Sequence, residues 1–309
     1  MKAMHLFAAG SLCCLLLPNL YAADNENAAI AHAAPPKLSA AQIAERNAVA
    51  RGGLKAWRSI QTMTISGKMD AGRLKPEGGP TDARGGMNGM SGRRMDSRLA
   101  RAVARAEFKQ ALENGEAKKD KAEGQMVQLP FVMELKRPRM QRVELQFQGQ
   151  TAVQVYDGKN GWKVRPYLGH SDVQSFNAEE LRQAADQQEL DGPLIDYAAK
   201  GNKLEFEQVE AVEGRDAYKL KLTLKDGQVR HVWVDAQTFL EVKMDGSRRM
   251  DGKQRPMATY FRDYKTVDGL KIPFTVETRV EGVKDPHSIY VDKVALNAKL
   301  TDSRFAKPE

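Results

Sequence analysis

Residues 216–235, DAYKLKLTLKDGQVRHVWVD, contain the pattern that decides the fold of this chain. Tyr218, Leu220, Leu222 and Leu224 occupy alternate positions, and lysine or threonine stands between them. A period of two is typical of a β-strand that has one buried and one solvated face. The KDGQ turn signal then leads into VRHVWVD, so the stretch predicts an antiparallel hairpin.

The same alternation recurs along most of the chain. It is found in residues 128–148 and again in TAVQVY, GWKVRPY, KLEFEQV, FLEVKM, LKIPFTVETRV and IYVDKVAL, with turn signals such as DGKNG and EGRD between the runs. Counting these runs gives about ten or eleven strands. We therefore expect a mainly β protein with some α (α+β), built as a curved antiparallel half-barrel whose strands each have one apolar face.

Two helices are predicted beside this sheet. Ser39 can cap the first, which has apolar residues at Ile43, Ala50, Leu54 and Trp57 and a GG pair that weakens its middle or ends it early. The second fits NAEELRQAADQQEL, where a capping asparagine is followed three residues later by glutamate. Few other segments are available to cover the sheet.

The apolar side of a curved sheet has to be covered. If the sheet curls into a half-barrel and the helices cross its mouth, they form a helical lid over an apolar cavity. A filled interior, which needs no ligand, is the alternative. The phase of the strands gives the cavity candidates: Phe131, Met133, Leu135, Val143, Leu145, Phe147, Leu220, Leu222, Ile272 and Phe274, with Trp57 on the lid side.

The N-terminal segment indicates export. Lys2 precedes an apolar run from Leu6 to Leu17, and small residues follow near Ala22, which is the layout of a secretory signal. The run has 12 residues, whereas a membrane-spanning helix needs about 20. We predict a cleavable signal peptide at residues 1–23, a linker at 24–37 and a folded domain at 38–309.

Export restricts both chemistry and partners. Cys13 and Cys14 are the chain's two cysteines and lie inside the predicted signal, so the mature chain would have no thiol chemistry. Leu12 precedes Cys13 where a lipidated cysteine would need a small residue, which disfavours a lipid anchor. The formal charge of +8 suits acidic partners. A periplasmic location then argues against nucleic acid as that partner.

Residues 71–125 break the strand pattern. The stretch is rich in Gly and Arg, has few large apolar groups, and so cannot bury enough surface to fold alone. We predict a disordered, basic insertion with one conditional helix between the first and second strands. Its arginines could contact an anionic membrane surface.

The sequence contains no pattern that predicts catalysis. The histidines lack metal-ligand spacing, and His231 is expected on the solvated face of its strand. No G-x-S-x-G elbow, phosphate-binding loop or G-x-G-x-x-G run occurs. Glu189, Asp191 and Asp196 form an acidic cluster beside a Gly-Pro turn. An enzyme acting on lipid or cell-wall material has only this cluster to support it, so we expect no catalytic residue, metal or cofactor.

Several longer stretches carry a family resemblance. They are ARGGLKAWRSIQTMTISGKM, VMELKRPRMQRVELQFQGQTAVQVYDGKNGWKV, ELDGPLIDYAAKG, and EGRDAYKLKLTLKDGQVRHVWVDAQTFLEVK followed by DYKTVDGLKIPF. Together they resemble the periplasmic outer-membrane lipoprotein-sorting proteins, the LolA/LolB-like family. The resemblance covers roughly residues 50–70 and 126–305, and the insertion is not part of it.

The resemblance implies an incomplete barrel with a helical lid and a hydrophobic cavity that shields acyl chains. The expected function is that of a non-enzymatic periplasmic carrier whose partner is an acylated lipoprotein or a related lipid. The alternative is a periplasmic regulatory or sensor module of the same fold that binds a signalling partner in the inner or outer membrane. The resemblance assigns no individual ligand-contact residue.

Overall fold

A computed structural model describes residues 36–74, 125–166, 170–186, 190–250 and 253–309. The predicted signal peptide, most of the predicted linker and residues 75–124 lie outside this description. Ala71 and Gly72 still belong to the first strand, which continues to Leu74, and the second strand begins at Gln125. The predicted insertion therefore includes strand residues at both of its ends.

The described part of the chain contains thirteen strands and three α-helices, with a short 3₁₀ helix near the C-terminus. The helices are α1 (Ala40–Ala50), α2 (Leu54–Ser59) and α3 (Ala178–Asp186), and the 3₁₀ helix is Asp302–Phe305. The strands are β1 (Thr62–Leu74), β2 (Gln125–Lys136), β3 (Met140–Phe147), β4 (Gln150–Tyr156), β5 (Gly161–Arg165), β6 (His170–Ser175), β7 (Lys203–Val212), β8 (Arg215–Thr223), β9 (Val229–Asp235), β10 (Glu241–Met250), β11 (Lys253–Val267), β12 (Leu270–Val280) and β13 (His287–Leu296).

All thirteen strands form one antiparallel sheet in the order β6-β5-β4-β3-β2-β1-β13-β12-β11-β10-β9-β8-β7. Each strand pairs with its neighbours in the chain, except that β1 pairs with β13 and β6 does not pair with β7. The first and last strands therefore meet in the middle of the sheet. The two free edges belong to β6 and β7, which are consecutive in sequence.

The strand count of ten or eleven was too low. The two strands that were missed are β6 and β11, and neither shows a clear alternation of apolar and polar residues. β6 is an edge strand with the polar sequence HSDVQS, so it has little apolar surface to bury. β11 has large aromatic residues on both faces, because Tyr260 packs on the outer face beside Trp233 while Phe261 lies on the inner face.

Local signals in the sequence account for the helix ends. Ser39 and Gln42 form a reciprocal capping box at the start of α1, and Asn177 and Glu180 exchange the same pair of hydrogen bonds at the start of α3. The first predicted helix is split into α1 and α2, because the glycine pair 52–53 adopts φ values of 110° and 93°. Other residues rarely adopt these values, so glycine is needed at this break.

The helices and the connection between β6 and β7 fill part of the inner face. Ile43 of α1 is fully buried beside Tyr218, Leu220 and other inward residues of β8 and β9. Leu194, in the connection, belongs to the same cluster. Ile195 packs with Trp57 of α2 in a neighbouring cluster. This half of the interior is therefore a packed core.

Buried ionic contacts hold the connection in place. The Asp191 carboxylate accepts from Arg137 at 2.8 Å and from Lys200 at 2.6 Å, and its side chain is only 3% exposed. Arg51 donates to the backbone oxygen of Asp191 at 2.8 Å and to the Glu241 carboxylate at 3.1 Å. Charged groups out of water need such partners. The contacts thus join the connection to α1, to the end of β2 and to β10.

None of the described helices has the length and apolarity that would let it cross a membrane.

The first prediction concerns the Asp191 contacts. Asp191→Asn removes the negative charge between two cations, and we expect the free energy of unfolding to fall by about 3 kcal/mol, since breaking a buried ion pair leaves an uncompensated charge. Urea unfolding measures the change. Asp302→Asn is the matched control, because Asp302 pairs with Lys136 but its side chain is 78% exposed; it should change stability by less than about 1 kcal/mol. Equal effects of the two variants would contradict this account.

A second prediction concerns acid. Hydrogen bonds from Arg58 lower the pKa of Asp196, and hydrogen bonds from Arg262 lower the pKa of Glu213. A lowered pKa in the folded state adds stability that is fully present above the unfolded-state value and is lost as pH falls through the folded value. We expect the free energy of unfolding to decline as pH falls from about 5 to about 3. The double variant Asp196→Asn/Glu213→Gln should decline less steeply in urea unfolding, and an unchanged slope would be the opposing result.

Candidate functional site

The inner face of the sheet encloses a cavity of about 810 Å³. It lies between strands β1 to β4 on one side and strands β9 to β13 on the other. Its apolar lining includes Met69, Met133, Leu135, Val143, Met244, Met257, Phe261, Val276 and Ile289. A volume of this size falls in the usual range for small-molecule sites, roughly 300 to 1,000 Å³.

Strand register places these side chains on one surface. Met133 of β2 is the direct partner of Val143 in β3. On the other side, Val276 of β12 is the partner of both Phe261 in β11 and Ile289 in β13. Paired residues in antiparallel strands point to the same face. These apolar partners therefore stand side by side on the inner face.

Methionine is unusually frequent in the lining. Met69, Met133, Met140, Met244 and Met257 all contribute to it. Methionine side chains are unbranched and polarisable, so they adapt to irregular apolar shapes. A lining of this kind can accept apolar groups of differing outline.

One rim of the cavity is formed by α3. Phe176, which precedes the helix, and Glu179, Arg182, Gln183 and Ala184 line the space. Arg182 and Glu179 form an ion pair at 2.6 Å. The position of α3 follows from its packing against β5.

A buried ion pair fixes α3 to the sheet. Lys163 of β5 donates to both carboxylate oxygens of Glu180 at 2.5 and 2.6 Å. Glu180 is 2% exposed and also closes the helix cap by accepting from the backbone of Asn177. One carboxylate thus sets both the start of the helix and its place beside the cavity.

The sequence-based cavity candidates fall into two groups. Met133, Leu135 and Val143 line the cavity. The other eight do not contribute to its lining and lie in packed regions. Phe131, Leu145 and Phe147 pack beside Met69, and Trp57, Ile272 and Phe274 pack beside Ile195. Leu220 packs in the cluster with Ile43, and Leu222, two positions further along β8, is fully buried.

These eight side chains lie in the packed regions named above, and the expectation that they face a cavity stays a prediction. Leu220 and Leu222 have no exposed surface, because α1 and the connection between β6 and β7 cover that half of the inner face. Trp57 is fixed by a hydrogen bond from its indole nitrogen to the backbone oxygen of Arg51 at 3.0 Å. Strand phase identifies the inner face, but it does not show which part of that face is filled.

Sequence reasoning missed most of the second wall. Met244 and Ile289 stand at inward positions of runs that had been identified as strands, so their phase could have indicated them. Met257 and Phe261 belong to β11, which was not predicted. Val276 follows Phe274 by two positions and continues the same face.

The residues considered for catalysis are occupied by other contacts. Asp191 is paired with Arg137 and Lys200, and Asp196 accepts two hydrogen bonds from Arg58, at 2.8 and 2.5 Å. Glu189 lies outside the described residues. Within the described ranges, no group of three or more His, Cys, Asp or Glu residues is arranged to hold a metal ion.

His231 lies away from the cavity lining. Its Nδ1 is 2.8 Å from the Asp245 carboxylate, and its backbone N–H donates to the same carboxylate at 2.6 Å. The histidine side chain is about one-quarter exposed. It is therefore a partly solvated strand residue held by a neighbouring strand.

Comparison with sequences gave no relative: no protein-family profile and no curated protein matches the chain. Comparison with solved structures gave clear matches. A LolA superfamily protein from Nitrosomonas europaea is 13% identical, with a TM-score of 0.50, and the match covers 88% of this chain and 99% of that one. A DUF1329 family protein from Desulfovibrio piger is 14% identical, with a TM-score of 0.50, and the match covers 87% and 98%.

A third structure, a domain from Vibrio parahaemolyticus described as a putative outer membrane lipoprotein-sorting protein, is 12% identical with a TM-score of 0.48, over 87% of this chain and 96% of that one. At these identities the comparisons establish the fold and nothing finer. The curved open sheet of this chain is LolA-like, as the sequence resemblance predicted.

Proposed function

We propose that this protein is a non-enzymatic periplasmic carrier that holds the acyl chains of lipoproteins or related lipids in its cavity. The observation that carries the proposal is the apolar, methionine-lined space of about 810 Å³ between two walls of the sheet. The LolA-like fold, which this chain shares with the structure from Nitrosomonas europaea, supports the same class of ligand. The predicted signal peptide supports the location.

Burial of a hydrocarbon chain would supply the binding energy. Each buried CH₂ contributes roughly 0.8 kcal/mol, so a chain of about sixteen carbons gains on the order of 10 kcal/mol. Much of this free energy only offsets the burial that the acyl chain loses when it leaves the membrane. A carrier therefore needs a long apolar surface rather than one strong contact.

In this proposal α3 serves as the lid of the cavity. It contributes Glu179, Arg182 and Gln183 to the rim, and its other face is fixed to β5 through Glu180. A polar rim above an apolar floor matches an amphiphile, whose chain is inside and whose head lies near water. The ion pair of Glu180 with Lys163 would keep the helix folded while the cavity is empty.

The absence of enzymatic activity is part of the proposal. The described carboxylates of the acidic cluster are held by arginine and lysine partners, which supports a structural role for them. A regulatory module of the same fold remains the second candidate. It depends on a membrane partner for residues 71–125, most of which lie outside the described ranges.

The third prediction tests the ligand directly. Native mass spectrometry of the mature protein, purified gently from its own periplasm, should show a stoichiometric bound mass that lipid analysis identifies as acylated. A protein that is recovered without ligand, and that stays so after incubation with lipoprotein and with phospholipid, would overturn the carrier function.

The fourth prediction tests the cavity. Val276→Trp places an indole between Phe261 and Ile289, and we expect affinity for cis-parinaric acid to fall by about tenfold or more, because at least two CH₂ groups lose their site. Fluorescence titration measures the affinity. Tyr290→Trp is the control, since Tyr290 is 38% exposed and is not among the residues that line the cavity. Unchanged affinity in a folded Val276→Trp protein would contradict this site.

A further inference from the structure

The cavity lining contains a polar group of residues besides those on α3. Gln228, Arg230, Ser247 and Gln254 contribute to it from β9, β10, β11 and the turn before β9. Arg230 is the direct partner of Leu222 in β8 and stands four positions before Val234, which packs in the cluster with Ile43 of α1. Val232, two positions away, belongs to that cluster as well, so Arg230 lies where the packed cluster adjoins the cavity.

The cations of the lining differ in their partners. Arg182 pairs with Glu179 at 2.6 Å, Lys136 pairs with Asp302 at 2.6 Å, and Arg139 donates to the backbone oxygen of Ala185 at 3.3 Å. The side chain of Arg230 has no hydrogen bond or ion pair with any residue of the described ranges, although it is partly buried. A guanidinium group carries a positive charge and five hydrogen-bond donors.

The carboxylates of the described lining do not compensate this charge. Glu179 and Glu180 belong to α3, and their partners are Arg182 and Lys163. Asp226, in the turn before β9, accepts from the side chain of Gln228 at 2.8 Å and from its backbone at 3.0 Å. Arg230 thus contributes to the cavity lining a positive charge that no carboxylate of the described lining pairs with.

We propose that Arg230 binds the anionic oxygens, carboxylate or phosphate, of an amphiphile whose hydrocarbon chain occupies the cavity. This inference rests on the proposed carrier function and names the headgroup class of its ligand. Guanidinium groups match carboxylate and phosphate geometry with two parallel hydrogen bonds. Because the site is partly shielded from water, the attraction is stronger than it would be on an open surface. A neutral or cationic headgroup forms no comparable ion pair with Arg230.

The test separates the contribution of the hydrocarbon chain to binding from that of the headgroup. Four probes, laurate, dodecyl phosphate, 1-dodecanol and dodecyltrimethylammonium, share a twelve-carbon chain and differ in charge; inorganic phosphate supplies the anion without a chain. Each displaces the neutral fluorophore N-phenyl-1-naphthylamine from the full mature protein. We expect laurate and dodecyl phosphate to bind about tenfold or more tightly than dodecanol, as a charged hydrogen bond predicts. Inorganic phosphate alone should not displace the fluorophore.

Variants assign the preference to one residue. Arg230→Gln should reduce the laurate-to-dodecanol preference to about one while dodecanol binding stays unchanged, and Arg230→Lys should retain part of it. Arg279→Gln is the matched control, since it removes the same charge at an arginine outside the cavity lining that already has a carboxylate partner, Glu277, at 2.5 Å. It should keep the wild-type preference. Circular dichroism and thermal unfolding verify that each variant is folded.

The outcomes distinguish the two claims. Equal binding of laurate and dodecanol by the wild type, or a preference that survives Arg230→Gln, overturns the headgroup site and leaves the carrier function standing. Displacement by inorganic phosphate alone at similar concentrations overturns an amphiphile site and indicates a free-anion site. Failure of all four amphiphiles to bind overturns the carrier function and the headgroup site together.

Discussion

The fold depends on covering the inner face of one continuous sheet. The described sheet has thirteen strands and three α-helices beside it, and its two free edges lie on strands that follow one another in the chain. The segment between them is therefore the one that must cross the inside. Leu194 and Ile195 bury themselves there, and the Asp191 contacts with Arg137 and Lys200 hold the segment in place. The hydrophobic effect sets the need for a cover, and buried ion pairs fix its position.

That cover divides the interior into two parts with different properties. One part, around Leu220, Trp57 and Ile195, consists of side chains that are almost fully buried against one another. The other, between Met133 and Val276, remains open. A protein that filled its whole interior would be more stable, because empty apolar space forfeits dispersion contacts. An open half that is lined by adaptable methionine side chains is the expected form of a site whose ligands vary.

The sequence was sufficient for the fold class and for part of the candidate site. Alternation predicted the inward faces, and Met133, Leu135 and Val143 line the cavity as their phase suggested. Capping signals at Ser39 and Asn177 placed two helix starts, because those contacts involve residues three apart. The filling of the interior was not predictable in this way. It is decided by Leu194 and Ile195, which stand in a stretch without any period and meet their neighbours only after folding.

The pairing of β1 with β13 has a consequence for how the chain folds. Met63 lies opposite Leu296, so the centre of the sheet joins residues from nearly the two ends of the described chain. Contacts between residues this distant in sequence are slow to form, because closing the long loop between them costs conformational entropy before the contacts can stabilise the chain. During synthesis, β1 emerges before β13 and can pair only with β2 until that last strand is available. The apolar inner face would stay open to water, and to chaperones, until synthesis was almost complete.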